Sequence, residues 1–429
     1  MNSVVLLLVC IAILACGYIF YGGWLCKQWG VGESGEETPA HTMEDGVDYV
    51  PAKAPVLMGH HFSSIAGAGP ITGPIGAAMF GWVPVVLWVL VGGIFFGGVH
   101  DFGALYASVR HKGQSVGEII SANMSVRAKK LFIIFAYLTL ILVVAAFASI
   151  VAGTFGTTDA AGQAVSDAAR ETNASVAMVS LLFIVIAIVF GFLVYRRNAP
   201  MGIASVLGVV AIVICMVIGM NFHPIYMTYK AWMIVVGIYI AIASITPVWI
   251  LLQPRDYLSS FLLYGMLAVA LIGVFVSHAP LGGDGLQAFA GFAVDNGNGT
   301  QYMFPVLFTT VACGAISGFH SLVSSGTTSK QLDKETDARP IAYGGMLLEC
   351  VLAVITVCAI NFAYRYNATA DEALQLKGAT AIFAGGIANM YAGFGPGAVT
   401  VLRTLLTLTY SAFCLTSLDT ATRLARFMF

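Results

Sequence analysis

The side chains in this sequence best suited to carrying a proton or an ion lie inside apolar runs: His60, His61, His100, Asp101, His320, Glu349 and Asp419. Histidine changes charge near neutral pH, and burial disfavours the charged form of a carboxylate, so both types can carry protons. A charge within a membrane is costly, and such residues usually face a bundle interior, paired or functional. His60, His61, His100, Asp101, His320 and Asp419 are therefore the candidates for a coupling proton or cation. The alternative is structural pairing, of Asp101 with Arg110 or His100, and of Asp419 with Arg423 as an i,i+4 helix pair. Ser317, Ser321, Ser324 and Thr328 recur at helical spacing and align their hydroxyls on one face, where they help bind a cation or a polar substrate, or join helices. Adjacent histidines cannot easily face one ion, and there is no H-x-x-x-H spacing, so neither a metal nor a cofactor is expected. A metal-binding membrane protein or a channel is the alternative reading.

The elements that must position these residues are transmembrane helices. Of 429 residues, 59% are hydrophobic and 10% charged, against about 25% charged in an ordinary soluble domain. Mean hydropathy is +0.87. The apolar runs approach the ~20 residues that cross a bilayer core, and backbone groups in lipid must be satisfied internally. An all-α polytopic bundle of about 11 helices follows, at about 3–25, 63–80, 82–108, 131–155, 176–195, 202–220, 231–252, 258–278, 304–327, 340–362 and 396–422. The 20 basic and 21 acidic residues give a net charge of −1, so no basic field points to nucleic acid. The eight cysteines show no C-x-x-C spacing and read as small hydrophobes. The first run has no preceding Lys or Arg and is long enough to span, which favours an uncleaved helix over a signal peptide.

Charge sidedness orients the bundle. Arg110, Lys112, Arg127, Lys129, Lys130, Arg196, Arg197, Arg255, Lys330, Lys334, Arg339, Arg423 and Arg426 fall in alternate connections or at the chain end. These connections are cytoplasmic, and the N-terminus is outside. Arg255-Asp256 reads as a cytoplasmic cap or gate. The acidic stretch from Lys27 to Met58 is also cytoplasmic by alternation.

Two spans are expected to break. In the second, Ser64, Gly67, Ala68, Gly69 and Pro70 precede Pro74, and glycine with paired prolines frees backbone groups that only protein or a polar cavity can satisfy. In the seventh, Pro247 should interrupt the helix near its middle, with Ser244, Thr246 and Trp249 beside it. Interrupted spans at corresponding positions of two halves point to a site between inverted repeats. The expected organisation is one transmembrane domain over 1–429, with an extra helix at 1–25 and repeats at 63–220 and 231–422. The substrate-binding candidates are Ser64, Gly67, Ala68, Gly69, Pro70, Ser244, Thr246, Pro247 and Trp249. The coupling cation is placed on backbone oxygens near Ala66–Gly69 and the hydroxyls of span 9.

Longer blocks carry a family resemblance. Val50-Pro51-Ala52-Lys53, Gly59-His60-His61-Phe62-Ser63-Ser64-Ile65-Ala66-Gly67-Ala68-Gly69-Pro70-Ile71, Gly98-Val99-His100-Asp101-Phe102, Gln253-Pro254-Arg255-Asp256-Tyr257-Leu258, Ser317-Gly318-Phe319-His320-Ser321 and Ser417-Leu418-Asp419-Thr420-Ala421-Thr422-Arg423 resemble the carbon starvation protein A (CstA) family. The resemblance implies a bacterial or archaeal inner-membrane importer related to the amino acid–polyamine–organocation transporters, with their five-plus-five inverted (LeuT-like) fold. It also implies peptides or pyruvate as substrates, coupling to H+ or Na+, a link to carbon starvation, and a C-terminal part beyond Phe429. It implies no enzymatic activity, and the oligomeric state stays open.

Overall fold

The computed structural model describes every residue except 1, 34, 47, 198–199, 247–249, 251, 296, 298, 371–374 and 429. It is a helical bundle with one short hairpin, Ala293–Asp295 paired antiparallel with Thr300–Tyr302. The helices that matter for the site are α1 (Ser3–Trp29), α2 (Ala54–Ile65), α3 (Gly69–Ala77), α4 (Trp82–Arg110), α5 (Val126–Phe155), α6 (Asp167–Val194) and α7 (Met201–Asn221). They continue with α8 (Tyr229–Ile245), α9 (Leu252–Ser277), α10 (Met303–Thr310), α11 (Ala312–Ala315), α12 (Gly318–Gly326), α13 (Glu335–Thr369) and α14 (Pro396–Met428). Eight helices among the described residues are long and apolar enough to cross a membrane. Three further expected spans fall on the 17-residue α8 and on the segmented stretches α2–α3 and α10–α12.

Polar residues mark where several of these helices begin. Ser125, Ser166 and Thr228 each accept a hydrogen bond from a backbone amide of the first turn of α5, α6 and α8, satisfying donors that have no intrahelical partner. Burial then sorts the helices. In α13, 83% of the most apolar window is buried, against 17% in α5 and 22% in α7. The first is the post around which the bundle packs, while the other two turn rows such as Ile134, Leu138, Ile141 and Ile203, Val206, Val210 outward, as lipid-facing helices do.

Different ties close the two ends of the bundle. At one end the Ser3 amide and hydroxyl both donate to Ala279 O, and the amides of Trp82 and Val83 donate to Gln287 O and Ala288 O. Arg365, a base on the otherwise base-poor side, is used there as a tie, donating to Pro280 O and Gly282 O. At the other end, Arg110 faces Glu36 and Glu335, and Lys129 bonds Glu118 at 2.5 Å.

The first expected break is present. α2 ends at Ala66 (φ −72°, ψ 64°), and α3 starts at Gly69 with Pro70 in its first turn and Pro74 accommodated inside. The second is elsewhere. α8 runs unbroken to Ile245 and α9 begins at Leu252, so the interruption expected near the middle of span 7 falls at its end; Pro247 and Trp249 lie outside the described residues. Span 9 is the segmented one, with Val311 (φ −90°, ψ 6°) and Ile316 (φ −158°, ψ 79°) outside helical geometry. The hydroxyl stripe of that span is consequently divided, Ser317 standing just before α12 and Thr328 lying beyond its last turn.

The two segmented stretches lie against each other. A Cβ on Gly69 would collide with the Cys313 side chain, and one on Gly73 would meet Thr310 O at 2.7 Å and Val311 Cα at 3.2 Å. Only glycine permits that approach. Beside Gly67 the neighbours are Phe147 and Ser417, from α5 and α14, so the α2–α3 break faces those helices rather than the hydroxyls of span 9.

Candidate functional site

Two ionic clusters are built around these breaks, the first buried except at its outermost histidine and the second buried throughout. The first joins α4, α11, α12 and α13. The Ile316–Ser317 interruption starts α12 at Gly318, which puts His320 in its first turn. There His320 Nδ1 lies 2.8 Å from Asp101 Oδ2 and its Nε2 lies 3.0 Å from Glu349 Oε2. The first contact is a hydrogen bond; the second has the distance of an ion pair but not the alignment of a hydrogen bond. All three side chains are fully buried. Cys313 Sγ donates toward Ser317 Oγ at 3.7 Å and Glu349 Oε1 at 3.8 Å. His100 Nδ1, 3.5 Å from Asp101 Oδ1 and 41% exposed, is the outermost member. His61, from α2, bonds Thr328 Oγ1 at 2.8 Å through Nδ1, with its ring against Gly345, one turn before Glu349.

The second cluster joins α2, α8, α9 and α14. Arg255 Nη1 donates to Asp419 Oδ2 and, at 2.5 Å, to Tyr239 Oη, while Nη2 donates to Asp256 Oδ1 at 3.0 Å. Tyr239 in turn donates to Asp419 Oδ2 at 2.8 Å. His60 Nδ1 lies 3.3 Å from Asp256 Oδ2. Arg255 is 1% exposed and Asp256 fully buried, so of the cap or gate expected from loop counting, an exposed cap does not fit. Nor does Asp419 pair with Arg423. The Arg423 guanidinium instead donates to Ala243 O and Thr246 O, carbonyls at the C-terminus of α8, where a cation offsets the helix dipole. The two adjacent histidines thus serve different clusters, His60 the second and His61 the edge of the first.

The remaining candidates sort by position. Ser64 is buried, its carbonyl accepting from Ser417 Oγ at 3.2 Å while its hydroxyl has no partner. Ala68 O accepts from the amides of Ile71 and Thr72 and from Thr72 Oγ, so it is occupied as the start of α3. Pro70 packs on Gly314, opposite Gly69 and Cys313. Ser321 Oγ is spent on Gly318 O, whereas buried Ser324 Oγ is unpartnered. Ser244 O and Thr246 O accept from Arg426 and Arg423; these two residues belong to the end of α8. Asp101 pairs with histidines, while Arg110 is engaged by Tyr106. Tyr239 and Cys313 were not among the candidates and carry no local sequence signal beyond being polar in apolar surroundings, while Arg255 and Asp256 were read only as a cap or gate.

A sulfur of Cys313, a ring nitrogen of His320 and a carboxylate oxygen of Glu349 lie within 4.8 Å of one another, close enough to ligate an ion. The spacings between them, 3.0 and 3.8 Å, suit ligands of one ion as well as atoms sharing a proton.

Interrupted helices around buried carboxylate–histidine and carboxylate–arginine clusters, in a bundle clad in apolar side chains, define a multi-pass membrane protein with an ionisable centre. The carbon starvation protein CstA family model matches residues 2–371, and the chain belongs to that family. It is 31% identical to the peptide transporter CstA of Bacillus subtilis over 100% of this chain and 74% of that protein. It is 34% identical to the peptide transporter CstA of Campylobacter jejuni over 87% of this chain and 52% of the relative. Against the pyruvate/proton symporter BtsT of Escherichia coli it is also 34% identical, over 82% of this chain and 48% of that protein. The chain thus spans about half the length of the latter two. No solved structure matches.

Proposed function

We propose that the protein is a secondary active transporter rather than an enzyme, importing a small carboxylate-bearing substrate, pyruvate or a peptide, together with a proton. The observation that carries this reading is a count of buried charge. Asp101 and Glu349 bring two carboxylates to one imidazole, His320, all without solvent contact. Each uncompensated buried charge costs several kcal/mol, so the closed cluster is favoured when it holds added protons and disfavoured when it loses them. The groups facing it are His61 from α2, His100 from α4, Cys313 from α11 and Cys350 from α13. None of them is a fixed cation. A proton is thus the ion that the cluster is best suited to exchange, and names of relatives that include a peptide transporter and a pyruvate/proton symporter support the same reading.

Coupling follows if the cluster can exchange its proton only when the facing segments α3 and α11, packed glycine to backbone, part on one side of the membrane. Alternating access of this kind moves whole elements about a fixed site. The test is uptake of labelled pyruvate and of a labelled dipeptide into proteoliposomes, with a proton gradient, a sodium gradient or neither. Proton-driven accumulation of either compound is expected; no driven accumulation of either overturns the proposal, and accumulation driven by sodium alone reassigns the ion.

A further inference from the structure

We propose that a cavity at the base-rich end of the bundle is the vestibule through which an imported short peptide leaves, Lys330 receiving its carboxylate and Asp48 its ammonium. This rests on the transport reading above and on charge sidedness, which makes that end cytoplasmic, and it selects the peptide from the two substrate classes. The cavity has a volume of about 300 Å³ and is walled by Asp48, Tyr49, Ser325, Gly326, Lys330 and Leu424, with the turn at 113–117 completing it. Ligand pockets commonly hold ~300–1,000 Å³, so a dipeptide of small residues suits its size. Its inner end separates it from a surface dent. Ser325 and Leu424 are buried, and each lies five residues beyond a member of an ionic cluster, His320 in α12 and Asp419 in α14. Five helical residues rise about 7.5 Å. The cavity therefore stops that far short of both clusters, between the two helices that carry them. Leu424 closes the way inward by packing on Gly326, where a Cβ would meet its Cδ2 at 2.5 Å.

The outer wall is built rather than incidental. The amides of Val50 and Ala52 donate to Lys330 O at 3.2 Å and Gln331 O at 2.9 Å, and Tyr49 Oη donates to Lys112 O at 3.2 Å. Gly113 (φ +71°) admits the Tyr49 ring, since a Cβ there would meet Tyr49 Cε1 at 2.8 Å. The Lys330 ammonium lies 5.3 Å from the centre of that ring, a cation–π contact, and Asp48 precedes Tyr49 in the chain. One cation and one carboxylate are thus presented to the same cavity. Two further charges stand around it. Asp45 Oδ1 accepts from the amides of Asp48 and Tyr49 at 2.9 Å, and Arg423 donates to Ala243 O and Thr246 O, so both are committed to backbone groups. A ligand with one negative charge would satisfy Lys330 and be opposed by Asp48. A zwitterion meets both, and a contact that repels the wrong ligand adds to selectivity.

The experiment reads occupancy of this cavity in the full chain. Val116, half-buried in its wall, is replaced by cysteine, and its reaction with iodoacetamide in detergent is followed by peptide mass spectrometry, so that the native cysteines do not count. Dialanine is expected to slow that reaction at least tenfold at saturation. N-acetyldialanine, dialanine amide and pyruvate, each lacking one of the two charges, are expected to protect far less. Adding Lys330→Gln or Asp48→Asn should abolish protection by dialanine, and Lys330→Arg should keep it. Cys358, fully buried, stays unreactive in a folded chain and checks every variant. Protection absent, retained in both Lys330→Gln and Asp48→Asn, or given equally by the blocked peptides or pyruvate overturns the assignment; proton-driven uptake of dialanine into proteoliposomes would then leave the transport reading standing. Protection that depends on Lys330 and Asp48 without any gradient-driven uptake would instead remove the transport reading and keep the site.

Discussion

Replacing Glu349 by Gln tests the coupling reading most directly. Glutamine keeps the size of the side chain and cannot ionise, so it freezes that position in the form a protonated carboxyl would have. In the wild type, an ionised Glu349 facing a protonated His320 at 3.0 Å gains roughly 5 kcal/mol of gross attraction at an effective dielectric of about 20. That attraction ties the charge of one group to that of the other, and Gln removes it. If one proton accompanies one monocarboxylate, a pH difference of about one unit supplies about 1.4 kcal/mol and sustains about tenfold accumulation of substrate. Glu349→Gln should hold accumulation near onefold in proteoliposomes under the same gradient. It should still exchange labelled internal for unlabelled external substrate, because counterflow needs the substrate site to turn over but no net proton movement. Driven accumulation at the wild-type level in Glu349→Gln would refute the reasoning. Loss of both driven uptake and exchange, with the protein still folded, would move Glu349 from coupling to the substrate pathway.

Other perturbations have defined outcomes. Arg255→Ala leaves Asp256 and Asp419 without the guanidinium that pairs them inside the bundle, and should destabilise the protein by about 3 kcal/mol or more, read as a lower unfolding temperature in detergent; Asp419→Ala, which leaves Arg255 paired one to one with Asp256, should lose less. Gly69→Val forces a side chain into Cys313, and overpacking of this kind costs about 1–3 kcal/mol, with a parallel loss of uptake because the segmented stretches can no longer close. Elemental analysis of purified protein distinguishes protons from metal at Cys313, His320 and Glu349: no stoichiometric zinc is expected, and one zinc per chain lost in Glu349→Gln would reverse that assignment. A cysteine placed at Asp295, in the hairpin on the base-poor side, should react with a membrane-impermeant thiol reagent in intact cells, whereas one at Lys130 should not; the opposite pattern would invert the topology.

Most of the spans were legible in the sequence because hydropathy is a property of whole segments, robust to errors of a few residues. The α2–α3 break was legible as well, since Pro70 and Pro74 among glycines leave a helix few alternatives. The break in span 9 was not. Its stretch, Val311 to Ser317, contains no proline, and small residues in a membrane helix more often signal close packing. Conversely, Pro247 announced an interruption, and α8 simply ends before it. The charged candidates divide in a similar way. Asp101, His320 and Glu349 stood out because each interrupts an apolar run. The burial of Arg255 was not legible because loop counting reads an arginine near a helix end as a loop residue, and burial of its guanidinium depends on Asp419, 164 residues away. The spacing of Asp419 and Arg423 suggested a local pair that the tertiary partners override.

The tie between Ser3 and the far side of the chain bears on how the protein is made. The Ser3 hydroxyl and amide bond Ala279 O, and Asn361 and Cys358 in α13 also reach Ser3, separations of 276 to 358 residues. α1 packs chiefly on α13, with α4 as an earlier neighbour through Tyr21 on Phe95 and Trp29 on Phe102, so the partner that covers most of its buried face is inserted long after it. During synthesis it must wait in the lipid with Leu6, Leu7, Cys10 and Leu14, the face it later buries, turned toward acyl chains. Waiting there is cheap only because that face is wholly apolar apart from Ser3 at its tip. A charge introduced at Cys10 would therefore be felt first as failed insertion, before any contact in the finished bundle could be tested.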